Sequence, residues 1–172
     1  MHILMCNDDG ILADGLRHLA SYLSQYYRIT VVAPANEQSA KSHALTTEVP
    51  LKLDACNGED ENPRLYALTG TPSDCMKFGL SYLLTDDMPD LVISGINHGF
   101  NLGSDVLYSG TVSAAMESCF YGIPGLALSV ERYSVERGNE IHPFIHELIE
   151  KIYVAGQFSG LLNVNFPLRG TC

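Results

Sequence analysis

A short apolar run, His2 to Cys6, stops at the polar tetrapeptide Asn7-Asp8-Asp9-Gly10. A run of that length with no polar interruption reads as a buried strand, and Asp-Gly reads as a turn. From Ala13 to Tyr26 the apolar positions Leu16, Leu19, Ala20 and Leu23 fall at helical spacing, with Asp14 near the start. Ile29 to Ala33 is a second buried run, broken by Pro34. Strand, helix and strand in so short a span form a βαβ unit, which commits the chain to a mostly parallel sheet.

The rest of the chain continues the pattern. A loosely alternating, more exposed strand is predicted over Thr46 to Asp54, then a polar loop over Asn57 to Pro63 and a strand over Leu65 to Leu68. Pro72 opens a helix to about Leu84, proline being tolerated in a first turn. A third core strand, Asp90 to Ser94, is followed by a long loop from Gly95 to Ser109. A small-residue helix covers Thr111 to Tyr121, with strands at Leu126 to Val130 and Leu161 to Val164 and a helix at Ile141 to Val154. The fold class expected is a doubly wound, Rossmann-like α/β sheet forming a single domain over 1–172.

Charge narrows the ligand. The net charge is -10 and no basic stripe is present, which argues against a nucleic-acid polymer as partner. An anionic ligand would need a cation, backbone N–H groups or local positive charge. The cysteines at 6, 56, 75, 119 and 172 are odd in number and include no Cys-x-x-Cys pair, so reduced, mostly buried thiols are expected rather than disulfides or structural zinc. No stretch is long and apolar enough to span a bilayer, and the expected location is the cytoplasm.

Ligands of doubly wound sheets bind beyond the carboxyl ends of the strands. The unusual polar clusters lie at such ends. Asp8 and Asp9 are adjacent carboxylates, suited to a hard divalent cation, although an ordinary turn with Gly10 at positive φ also explains them. Ser39, after the second strand, is a cation ligand or a cap. Asn97 offers a neutral oxygen, and His98 is either a general base or a loop residue. Ser109-Gly110-Thr111 precedes a helix, where free N–H groups and two hydroxyls make either a phosphate cradle or a plain N-cap. Gly70-Thr71-Pro72-Ser73-Asp74-Cys75 is explained by capping alone. Neither a Gly-x-Gly-x-x-Gly fingerprint nor a Walker loop occurs.

Together Asn7-Asp8-Asp9-Gly10, Val32-Ala33-Pro34 with Ser39, Gly70 to Cys75, Ser94-Gly95-Ile96-Asn97 through Asn101-Leu102-Gly103, and Tyr108-Ser109-Gly110-Thr111-Val112 resemble the SurE family, survival protein E, of metal-dependent nucleotidases. The resemblance runs on to Asn165-Phe166-Pro167. It implies one divalent cation per subunit, magnesium or manganese, held by Asp8, Asp9, Ser39 and Asn97. It places phosphate between that ion and Ser109-Gly110-Thr111. It implies hydrolysis of nucleoside 5′- and 3′-monophosphates, and of short polyphosphate, with Asp8 or Asp9 orienting or deprotonating the attacking water. A homodimer or homotetramer is implied as well. A phosphate or nucleotide sensor without turnover is the alternative, and a dinucleotide-dependent enzyme is disfavoured by the missing fingerprint.

Three positions depart from the family pattern. Ala40 stands where glycine is usual, His98 where a small residue is usual, and Phe100 where proline is frequent. Ala40 restricts the backbone if that position needs positive φ. Family chains also continue past the Asn-Val-Asn-Phe-Pro segment into a subunit-exchanging arm. With the sequence stopping at Cys172, that arm is expected to be missing and association to be weakened.

Overall fold

The computed structural model describes residues 1–58, 60–156 and 158–167. Its strands are β1 (His2–Cys6), β2 (Arg28–Pro34), β3 (Leu53–Ala55), β4 (Arg64–Leu68), β5 (Leu91–His98), β6 (Gly125–Val130) and β7 (Leu161–Phe166). The helices are α1 (Asp14–Leu23), α2 (Pro72–Phe78), α3 (Gly110–Cys119) and α4 (Val135–Ile149). Single π turns prolong α2 to Leu83 and α4 to Val154. Among the described residues the strands form one sheet in the order β3-β4-β2-β1-β5-β6-β7, parallel except where β3 runs against β4. The Rossmann-like α/β expectation holds.

The pleat sends alternate side chains to opposite faces. Ile3 and Met5 of β1 pack with Leu16, Leu19 and Leu23 of α1 and with Ile141, Ile145 and Ile149 of α4. Leu4 and Cys6 face the other way, onto Met76, Leu80 and Ala114. Each such Leu or Ile, wholly removed from water, contributes roughly 1.5–3 kcal/mol. Because α1 and α4 share a face, the crossovers β1–α1–β2 and β6–α4–β7 differ in hand, for they step across the sheet in opposite directions. The strong preference for right-handed crossovers assigns the exception to β6–α4–β7. The chain leaves β1 towards β2 and later returns past it to β5, so the crevice lies beyond the carboxyl ends of β1 and β5.

Several boundaries differ from the sequence expectations. Of the predicted Thr46 to Asp54 strand only Leu53 and Asp54 pair, in a short strand that ends at Ala55. Pro50 lacks a ladder donor, and Thr46 is drawn instead to Asp74, its N–H and hydroxyl donating at 3.0 and 2.6 Å. The loop predicted from Gly95 begins later, because β5 runs on to His98 across a register shift between Ser94 and Asn97. Gly95, at φ 130, reads as a break in the sequence. Its missing side chain instead lets the backbone approach the Leu128 carbonyl, which a Cβ would meet at 2.3 Å. Helix α4 begins at Val135, six residues before Ile141, capped by Ser134, whose Oγ accepts from the Arg137 N–H at 3.2 Å. Gly138 masks that turn in the sequence, and its Cβ would lie 2.5 Å from the Tyr133 hydroxyl. Of the cysteines, Cys6 and Cys75 are free and buried, Cys56 is free and exposed, Cys119 is free and partly buried, and Cys172 lies outside the described residues.

Candidate active site

The turn after β1 is the tight turn that Asn7 to Gly10 suggest. The Asn7 side chain closes it, Nδ2 donating to the Gly10 carbonyl at 3.0 Å and Oδ1 accepting from the Gly10 N–H at 3.1 Å. Gly10 takes φ 98, as the turn requires. The Ile11 N–H donates to Pro34 O at 2.8 Å and the Gln38 N–H to Asp8 O at 2.7 Å, fixing the turn against the segment after β2. With the backbone so held, Asp8 and Asp9 project into the crevice. Asp8 is 5% exposed, and its Oδ1 accepts from the Thr111 hydroxyl at 2.5 Å.

Helix α3 points its N-terminus at this pair. Ser109 is the N-cap, its Oγ accepting from the Val112 N–H at 3.1 Å, so the capping reading is correct and its own hydroxyl proton stays available. A Cβ on Gly110 would come within 2.9 Å of Asp8 Cβ and 3.1 Å of Oδ2. Glycine is what lets the helix sit against the carboxylate. In this structure the Thr111 hydroxyl is turned to Asp8.

Asp8, Asp9, Ser39, Asn97, His98 and Ser109 line one cavity of about 280 Å³. Asn97 lies on β5, not in a loop, and its Nδ2 donates to Gly99 O at 2.8 Å, while among the described residues no donor engages its Oδ1. Ser39 caps no helix. It is exposed and its hydroxyl donates to Glu37 Oε1 at 2.8 Å. Ala40 adopts φ 56, the conformation glycine would adopt without cost. Ala40 and Phe100 line the same cavity. Asp74 accepts from Thr71 N–H at 2.9 Å and from Thr46, completing a capping box that also ties down the segment after β2.

Burial pushes the Asp8 carboxyl above its ordinary range, with the Thr111 hydroxyl acting against that. Burial, and then the neighbouring Asp8 charge, push Asp9 up to about 6. No Lys or Arg lines the cavity. No group of three or more His, Cys, Asp or Glu among the described residues is placed to hold a metal ion, so a cation here would rest on two carboxylates and neutral oxygens. That is a hard oxygen set, matched to magnesium or manganese, and the uncompensated paired charge fits it.

A second cavity of about 470 Å³ shares Asp9, Ser39 and His98 with the first and adds Asp14, Glu37 and Tyr133. The sequence reading gives none of these three a site role: Glu37 stands in the cluster after the second strand, where Ser39 is the candidate, Asp14 reads as a helix start, and Tyr133 belongs to no cluster singled out. Asn101 belongs to the Asn97 motif in the sequence but has no role of its own there. It is buried, donating to Ser129 Oγ at 2.8 Å, and its carbonyl accepts from Asn163 Nδ2 at 2.9 Å. The period-two spacing of Asn163 and Asn165 was the available signal, marking one polar side of β7 turned to that loop.

The family profile of Survival protein SurE matches residues 3–171. The chain is similar to the "5'-nucleotidase SurE" of Thermoanaerobacter sp. (strain X514), 49% identical over 168 residues, covering 97% of this chain and 66% of the relative. It is also similar to that of Thermosipho africanus, 45% identical, covering 97% and 65%. The chain thus spans just under two thirds of the length of these relatives. The crystal structure of the SurE protein from Aquifex aeolicus superimposes with a TM-score of 0.82 at 37% identity, over 97% of this chain and 66% of that one. With a profile matched along nearly its whole length and the same α/β sheet in a solved relative, the chain belongs to the SurE family.

Proposed function

We propose that this chain forms the nucleotide-hydrolysing part of a divalent-metal-dependent phosphomonoesterase acting on nucleoside 5′- and 3′-monophosphates, with the terminal phosphate of short polyphosphate as a further target. The observation that carries the reading is the seating of the α3 N-terminus, through Gly110 and the 2.5 Å Thr111 hydrogen bond, directly on one of two adjacent carboxylates at the switch point of the sheet. Anion-binding donors and cation-binding acceptors then face one cavity, the pairing that phosphoryl transfer needs. The "5'-nucleotidase" names of the relatives support it.

In this reading Asp8, Asp9, Asn97 and Ser39 hold the cation, Ser39 turning its hydroxyl away from Glu37. When bound, a hard divalent cation supplies electrophilic stabilisation of the phosphoryl oxygens and cancels the carboxylate repulsion. Thr111 keeps Asp8 oriented. The Ser109 hydroxyl and the first-turn N–H of Gly110 donate to phosphate oxygens as their charge redistributes. Asp9, the more accessible carboxylate, orients the attacking water and takes its proton, while the bond from phosphorus to the nucleoside oxygen breaks and that oxygen leaves protonated. A homodimer or homotetramer in the cytoplasm is the setting proposed with it. Among the described residues no helix is long and apolar enough to cross a membrane.

The test is phosphate release from nucleoside monophosphates with added manganese and with excess chelator. Release that requires manganese or magnesium is the expected result. Binding without release would make the chain a sensor, and full activity in chelator would remove the cation from the reading.

A further inference from the structure

The two cavities share Asp9, Ser39 and His98 but differ in chemistry. The smaller one holds Ser109, suited to phosphate, and Asn97, suited to the cation. The larger one, about 470 Å³, has no phosphate-binding group of its own. It opens from Asp9 towards the start of α1 and the segment after β6, and is walled by Ala13, Asp14, Gly15, Ile96 and Tyr133. Its volume is in the range of small-molecule sites. Because the two cavities join at Asp9, Ser39 and His98, a substrate whose phosphate sits at the α3 N-terminus has this space open to its remainder.

Its walls are fixed. A Cβ on Gly15 would lie 2.6 Å from the Ile96 carbonyl, so α1 packs there without a side chain. Tyr133 is held by His18, whose Nδ1 lies 3.2 Å from the Tyr133 hydroxyl, with the two rings 6.1 Å apart, and by the space Gly138 leaves for that hydroxyl. Among the described residues no hydrogen-bond donor engages the Asp14 carboxylate, which stands exposed in the first turn of α1. Carboxylates beside nucleotide sites accept hydrogen bonds from ribose hydroxyls, and a fixed aromatic ring offers a face to a base.

We infer that this second cavity is the nucleoside subsite, with Asp14 accepting the sugar hydroxyls and the Tyr133 ring lying against the base. The assignment rests on the nucleotidase reading and adds to it a location and two specificity-determining residues. The experiment measures kcat and KM, with manganese present, for adenosine 5′-monophosphate, its 2′,3′-dideoxy analogue and ribose 5-phosphate, in the parent and in Asp14→Asn and Tyr133→Leu. The parent is expected to favour the full nucleotide over each truncated substrate by about ten-fold, the worth of one good hydrogen bond or stacking contact. Asp14→Asn should erase the preference over the dideoxy compound and keep the preference over ribose 5-phosphate. Tyr133→Leu should do the reverse, and both losses should appear in KM. Erosion of both preferences in both variants, or of neither, overturns the inference while leaving the nucleotidase reading in place. Failure of the parent on all three substrates overturns both.

Discussion

Charge on Asp9 is opposed by its surroundings. Its carboxyl is pushed up to about 6 by burial and by Asp8. A carboxylate with a raised folded pKa destabilises the fold where it is ionised, and stability returns as pH falls through about 6. At pH 7.5 the Asp9→Asn chain, freed of metal by chelator, should therefore melt higher than the parent. Manganese should raise the parent's melting temperature and leave the variant's nearly unchanged, because ligand binding to the folded state alone stabilises it. A variant that melts lower in chelator, or gains as much from manganese as the parent, would contradict this. Ala40 presents a different cost at the same cavity. Its φ of 56 costs a residue with a side chain roughly 1–2 kcal/mol, against roughly 0.5–1 kcal/mol of extra chain entropy for glycine. Ala40→Gly should stabilise by about 0.5–1 kcal/mol, read from denaturant midpoints at constant m-value.

At the scale of the element, the decisive contact is α3 on the turn after β1. Gly110→Ala places a methyl 2.9 Å from Asp8 Cβ and 3.1 Å from its Oδ2. The helix must retreat, lengthening the Thr111–Asp8 bond. We expect a loss of about 1–3 kcal/mol of stability, the usual cost of overpacking, together with at least a ten-fold loss of manganese affinity by titration calorimetry. Unchanged affinity would detach the helix from the site. This contact also marks the limit of what the residues alone disclosed. Ser109-Gly110-Thr111 is legible as a helix start, and Asp8-Asp9 as a strand-end acidic pair, because both are local patterns. That one sits on the other is a property of the crossover from β5 to β6, which no spacing encodes. The same limit explains Gly95 and Gly138. In sequence a glycine signals a break, whereas here Gly95 admits a carbonyl from β6 and Gly138 admits the Tyr133 hydroxyl. Asp14, Glu37 and Tyr133 come from three separate segments and meet only through the fold.

The whole molecule closes where α1 and α4 meet over one face of the sheet. Set into that seam is His142, 3% exposed, its ring 5.3 Å from Tyr22 and its Nε2 without a hydrogen-bond partner among the described residues. Burial, and then the charge of nearby His18, lower its pKa to about 4. For a histidine so depressed the folded chain stays neutral while the unfolded chain takes up a proton below about 6.5. Stability is therefore full above that pH and drains away as pH falls towards about 4, by on the order of 2–3 kcal/mol at pH 4.5. Asp9 acts in the opposite sense over nearly the same interval, so the parent's own pH profile mixes the two. The difference between the parent and His142→Phe isolates the histidine. Urea unfolding of both chains between pH 7.5 and 4.5 should show the parent losing that amount relative to the variant, since phenylalanine keeps the ring in the seam and removes both the titration and the unpaired nitrogen. Parallel profiles would mean that His142 is protonated, or reached by water, in the folded chain. The α1–α4 seam would then be more open than its packing indicates.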